Sequence, residues 1–278
     1  MLVTPANGIM LLASLAFLAI GLTCWLSVKR PDASARLWVL GFIAAGIAPL
    51  LGAFGGATVG PFPFIGACIA LALSFVLFGL ALKVLYTARF YIRDQVVLTG
   101  TYLLGYALSL AYVSGHGSPA WQIFLFSVGT GAPAVWAALQ AIQLSQRSKS
   151  VFVSHLIFIF VLQALVVLSR IPQALFIDTA RLWEHSSSNE IILTILSLCG
   201  IIKAISYFGL RFEELNDRLE SETQLLQEQA YTLAKKNSEI VSAMYSAPIA
   251  CVVTSPSLEM LYANAQAERL LGGVIENS

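Results

Sequence analysis

The chain has 278 residues, of which 58% are hydrophobic and 11% charged, with a formal net charge of +1. A soluble domain carries about 25% charged residues, so this composition excludes a single soluble globular domain. The net charge hides an uneven distribution, with most Asp and Glu after residue 210, and by itself says little about partners; no nucleic-acid partner is expected.

Apolar runs dominate the first three quarters of the sequence. A hydrocarbon core about 30 Å thick requires roughly 20 apolar residues per helix. Seven runs meet that length, at 8–27, 37–56, 64–86, 96–115, 121–144, 151–170 and 190–210. Residues 1–7 carry no Lys or Arg, whereas Lys29 and Arg30 follow the first run. That order is the reverse of a secretory signal peptide, so an uncleaved first helix is expected. Basic residues cluster in alternate connections: Lys29, Arg30 and Arg36 in the first, Arg89 and Arg93 in the third, Arg147 and Lys149 in the fifth. Because basic residues stay on the cytoplasmic side, the N-terminus is expected outside and the C-terminus inside. The predicted architecture for 1–210 is an all-α, seven-transmembrane helix bundle.

The second run carries Gly52 and Gly56 after Pro49, and the fifth carries Gly129, Gly131 and Pro133. Close helix packing is the first expectation for such residues, with a hinge beside a cavity as the alternative. Cys24, Cys68, Cys199 and Cys251 form no CxxC pair and are read as small apolar packing residues. No Asp or Glu lies in the interior of the apolar runs, so a carboxylate relay for proton or sodium coupling has no parts. This argues against a transporter or channel with a regulatory tail, which remains the alternative from another class.

Lys203, in the seventh run, raises the question of a retinal Schiff base. A protonated Schiff base calls for a carboxylate counter-ion, and the runs supply none. At 1.5 Å per residue the lysine lies about 9–10 Å from the end of its run, so snorkelling to the interface, or a contact that carries the signal, is expected. His155, one turn into the sixth run, is read as an interhelical hydrogen-bonding residue. His116 and His185 fall in outward connections, where imidazoles could hold haem or a metal. No further ligand spacing supports that, and no cofactor or metal is predicted. The sixth connection is the longest, and Tyr112, Trp121 and Trp183 lie near those two histidines. They read as an aromatic belt or as a lid over an outward pocket for a small signal. In the second case Tyr112, His116, Trp121, Gln163, Trp183 and His185 are the candidate ligand contacts. Gln140, Gln143, Ser154, Thr194 and Ser197 line its lower part or bond helix to helix.

After Leu210 the composition changes. Phe212, Leu219, Leu226, Leu233 and Ile240 recur every seven residues, one seam of a coiled coil. The companion seam is Leu215, Glu222, Gln229, Lys236 and Ala243, mostly polar. A half-polar seam weakens a dimer and makes its register switchable, which suits a signalling helix over 211–243. The alternative is a single amphipathic helix packed on its own soluble domain. The seventh membrane helix is expected to run on into it.

Residues 244–278 then read as a short strand, a turn at 255–257, a second strand and a helix. The order, with Pro248, Ile249, Asn264, Ala265, Leu270, Leu271 and Gly272, resembles the N-terminal part of an α/β PAS domain. The resemblance covers about 35 residues of the roughly 100 such a domain implies, and a longer natural protein is expected. The whole layout is similar to multi-helix bacterial receptors of the inner membrane. In those, the resemblance implies, a PAS domain precedes a GGDEF-type diguanylate cyclase, with or without a phosphodiesterase, or a histidine kinase of a two-component system. The chain itself carries no catalytic constellation. The expected function is a membrane input module that senses a small-molecule or lipid-like signal and works as a homodimer. A chromophore- or haem-binding light or redox sensor is a further alternative.

Overall fold

The computed structural model describes residues 5–27, 32–54, 62–87, 92–172, 187–257 and 260–275. Among the described residues, seven helices are long and apolar enough to cross a membrane. They are α1 (Pro5–Ser27), α2 (Ala33–Phe54), α3 (Phe62–Tyr86), α4 (Ile92–His116), α5 (Pro119–Ser145), α6 (Val151–Leu168) and α7 (Ser187–Ser246). The chain is therefore an α-helical protein of membrane-spanning character, with each span at the expected run. A hairpin, β1 (Val252–Thr254) and β2 (Met260–Ala263), precedes a final helix α8 (Ala265–Ile275).

Local chemistry sets several helix starts. Asp32 accepts from the backbone N–H of Ala35 at 2.8 Å, an N-cap bond that satisfies one of the orphan donors of α2. Ser150 does the same for α6, accepting from Phe152 N at 3.1 Å. Pro119 opens α5, where its missing N–H would have had no helical partner. Helices α2 and α5 continue through Pro49 and Pro133.

The chain divides into two compact units, Met1–Glu213 and Glu214–Ser278. In the first, α3 packs against α2, α4 and α5, while α1 lies on α2 and α6 on α5. Its main core centres on Trp38, Phe42, Phe75, Phe78, Phe160 and Tyr207, and a smaller cluster gathers Cys68, Tyr106, Leu110, Ile123 and Phe126. Small residues allow this close approach. A Cβ on Gly41 would sit 2.7 Å from the ring of Phe78, so the glycine is what lets that ring lie against α2. Gly129, at a candidate hinge, faces the ring of Tyr106 in the same way; Gly56 lies outside the described residues. Cys24, Cys68 and Cys199 are buried free thiols and Cys251 is half-buried, as packing residues should be. Large apolar side chains such as Leu98, Leu104 and Leu108 of α4 are exposed, the surface a helix offers to lipid.

In the second unit the stalk portion of α7 is solvent-exposed, and β1 pairs antiparallel with β2, Val252 opposite Ala263 and Val253 opposite Tyr262. Asn264, fully buried, ties the pieces together. Its Oδ1 accepts from Ala267 N (3.0 Å), capping α8, and from Cys251 N (2.9 Å). Its Nδ2 donates to the carbonyls of Met244 (3.0 Å) and Ile249 (2.8 Å). One side chain thus closes the end of α7, the entry to β1 and the start of α8.

Candidate functional site: a buried lysine and the polar track of the last membrane helix

Residues 199, 203, 207 and 211 recur every four positions along α7 and so share one face of it. Cys199, Lys203 and Tyr207 are 3%, 3% and 4% exposed, and Arg211 forms an ion pair. This face carries the polar contacts that fasten α7 to the other helices.

Lys203 is the deepest. Its Nζ donates to Gln163 Oε1 of α6 at 3.1 Å. The same nitrogen lies 3.9 Å from the ring centroid of Phe78, 4.9 Å from that of Phe160 and 5.4 Å from that of Phe75. A cation over an aromatic face is attracted by the ring quadrupole, so three phenylalanines and one amide form the surroundings of the ammonium. No carboxylate among the described residues pairs with it. The expectation that Lys203 snorkels to the interface is corrected here: its side chain turns inward. Distance along the helix permitted snorkelling, but the face on which residue 203 falls points at α3 and α6.

One turn on, the Tyr207 ring stacks on Trp38 of α2, with centroids 4.1 Å apart and planes 13° apart. Its hydroxyl lies 3.1 Å from Ser34 Oγ. Ser34 gives its only hydroxyl proton to the carbonyl of Ala81, at 2.9 Å, so Tyr207 is the donor to Ser34. A single serine thereby joins α2, α3 and α7. A further turn on, Arg211 Nη2 meets Asp32 Oδ2 at 2.6 Å, the side chains 27% and 45% exposed. Asp32 holds the start of α2 with one oxygen and the end of the membrane part of α7 with the other.

A cavity of about 60 Å³ adjoins Lys203, bordered by residues of α1, α2, α3, α6 and α7. Its polar side chains are Ser74, Gln163, Ser197 and Lys203, and its apolar walls include Ala13, Ala45, Ala48, Ala67 and Leu71. Room for one water takes about 10–15 Å³ by this measure, so the space exceeds a single solvent molecule.

The other candidate residues are placed elsewhere. Tyr112 and His116 stack on each other along α4, centroids 5.2 Å apart, and both are exposed. Trp121 is 58% exposed and packs edge-on against Phe124 at 5.5 Å. Among the described residues neither Trp121 nor Gln163 shares a hydrogen bond or ring contact with Tyr112 or His116. Trp183 and His185 lie outside the described residues. His155 is exposed and meets the edge of Phe152 at 6.2 Å, rather than hydrogen-bonding across helices. Gln140 and Gln143 both hold an Oε1 within hydrogen-bonding reach of Tyr86 Oη, whose single proton serves one of them at a time, bonding helix to helix. In the stalk, Phe212, Leu215, Leu219, Leu226 and Leu233 are between 54% and 71% exposed, and Glu222 and Gln229 are exposed among them.

Sequence reasoning missed Ser34, Asp32, Trp38 and Tyr207. Only Asp32 left a signal, as an acidic residue directly before an apolar run, the mark of an N-cap. Comparison with protein-family models, with curated proteins and with solved structures finds no match for this chain.

Proposed function

We propose that the chain is the sensory input module of a bacterial-type membrane receptor. Its N-terminus lies outside the inner membrane, its C-terminus in the cytoplasm, and two copies join through the stalk. Residues 244–278 begin a PAS domain, which passes the signal to an output enzyme of the diguanylate cyclase or histidine kinase kind. One observation carries this reading. A single helix, Ser187–Ser246, holds both the buried polar track of the membrane unit and, further on, a heptad stripe of exposed apolar residues.

The reasoning is physical. A stripe at seven-residue spacing, exposed in one copy, is what a second helix covers in a coiled coil. A signal can shift an equilibrium only by its affinity difference between two states. Any ligand that alters how Lys203 or Tyr207 holds α7 alters the start of the stalk, and the stalk has no glycine or proline between Phe212 and Ser246 to absorb the change. The exposed Leu261 and Leu270 of the hairpin unit are apolar surface that the further strands of a PAS domain would cover.

A cysteine scan along 212–240 in native membranes tests the dimer on which the mechanism depends. Disulfide cross-linking between copies is expected to peak at the two seam sets, 212, 219, 226, 233 and 240 together with 215, 222, 229 and 236, and to fall between them. Cross-linking that is absent, or that shows no seven-residue period, would sink the proposal.

A further inference from the structure

We infer that the cavity beside Lys203 is a binding site for a small monocarboxylate, an anion of about two to three carbons with an apolar body. The inference deepens the sensory reading by naming the chemical class of its signal, but the site stands on its own geometry.

Charge balance comes first. An ammonium buried among helices is costly unless paired, and no carboxylate among the described residues pairs with Lys203. Its Nζ carries three N–H donors, of which Gln163 takes one. The faces of Phe75, Phe78 and Phe160 stabilise the charge without accepting conventional hydrogen bonds. Two donors are thus available to a ligand that brings its own negative charge.

Shape and lining then select among anions. Ala13, Ala45, Ala48, Ala67 and Leu71 offer an anion no donors but suit an alkyl chain. An inorganic anion such as chloride would leave that wall without a partner. The volume sets the length: about 60 Å³ is well below the ~150 Å³ of a cavity that takes benzene. A ligand here has fewer heavy atoms than benzene, as in acetate or propionate.

The test uses the full chain in lipid nanodiscs and equilibrium dialysis of radiolabelled propionate. Saturable binding is expected, competed by acetate but not by hexanoate, propylammonium or chloride at the same concentration. Lys203→Met is expected to weaken propionate binding at least tenfold. Should that variant fail to give a cooperative melt, Ala48→Leu decides, because it fills the slot with hydrocarbon while leaving the lysine in place, and it too is expected to abolish binding. A folded parent chain without saturable binding, either folded variant binding as well as the parent, or chloride competing equally, would each overturn the site. Spin labels at Gln227→Cys in the two stalks separate this inference from the sensory reading. Propionate that binds without changing their distance distribution refutes its role as signal and keeps the site. A chain that binds no propionate refutes the site and leaves the sensory reading to another ligand.

Discussion

Helix α7 contains two stretches that solve the same problem in opposite ways. From Cys199 to Arg211 its inward face is buried and its polar groups find partners in the same chain, namely Gln163, Ser34 and Asp32. From Phe212 to Ile240 its apolar stripe is exposed throughout. Both stretches are regular helix, so local backbone preference does not separate them. What separates them is whether the residues that complete them are supplied by this copy. The first stretch is finished within one molecule; the second, on the proposed reading, is completed by a second copy.

Breaking the second stretch should have the largest effect. Leu226→Lys with Leu233→Lys removes two seam residues from each copy. Since burying a leucine stabilises by about 1.5–3 kcal/mol, dimer affinity should fall by at least about a hundredfold, as read by native mass spectrometry. An unchanged dimer would place the interface elsewhere. The first stretch should hardly notice, so thermal melting of the membrane unit is the internal control.

Next in size, Tyr207→Ala empties the stack on Trp38 and should destabilise the membrane unit by about 3 kcal/mol. Tyr207→Phe, which loses only the bond to Ser34, should cost about 1 kcal/mol. Equal effects of the two would show that the ring contributes nothing beyond its hydroxyl. Smaller again, Glu222→Leu with Gln229→Leu converts the polar seam to an apolar one and should tighten the dimer about tenfold. A weaker dimer would mean that these residues lie off the seam. Smallest, Asp32→Asn keeps a capping oxygen for α2 but removes the charge facing Arg211. A loss of roughly 0.2–1 kcal/mol of stability, read as a small fall in the thermal midpoint, is expected for so exposed a pair. A larger loss would mean that the carboxylate itself is what caps α2.

How much of this was legible beforehand follows from how far apart the partners lie. The spans could be read because an apolar run of twenty residues is a local property. The stalk stripe could be read because its period is carried by consecutive heptads. The site could not, because its contacts are made at long range between ordinary residues. Lys203 and Gln163 are 40 positions apart, Ser34 and Tyr207 are 173, and Asp32 and Arg211 are 179. Serine, tyrosine and glutamine announce nothing by themselves. Lys203 was visible as an oddity, yet its inward turn was not, since sequence gives depth along a helix before it gives the neighbours on each face. Asn264 was picked out from its place before the last helix, but its four side-chain bonds appear only once the hairpin has brought Met244, Ile249 and Cys251 around it.

The Asp32–Arg211 pair closes the membrane half of α7 just where the exposed stripe begins, and it is open to solvent. Charges in that position are screened by mobile ions, with a Debye length of about 8 Å at physiological ionic strength. The hold of α2 on α7 is therefore looser in a concentrated medium and firmer in a dilute one. An exposed pair contributes at most about 1 kcal/mol, equivalent to roughly a fivefold bias between two arrangements of the helix. On the proposed sensory reading, the threshold at which the helix responds would be set in part by the ionic strength of the surrounding fluid.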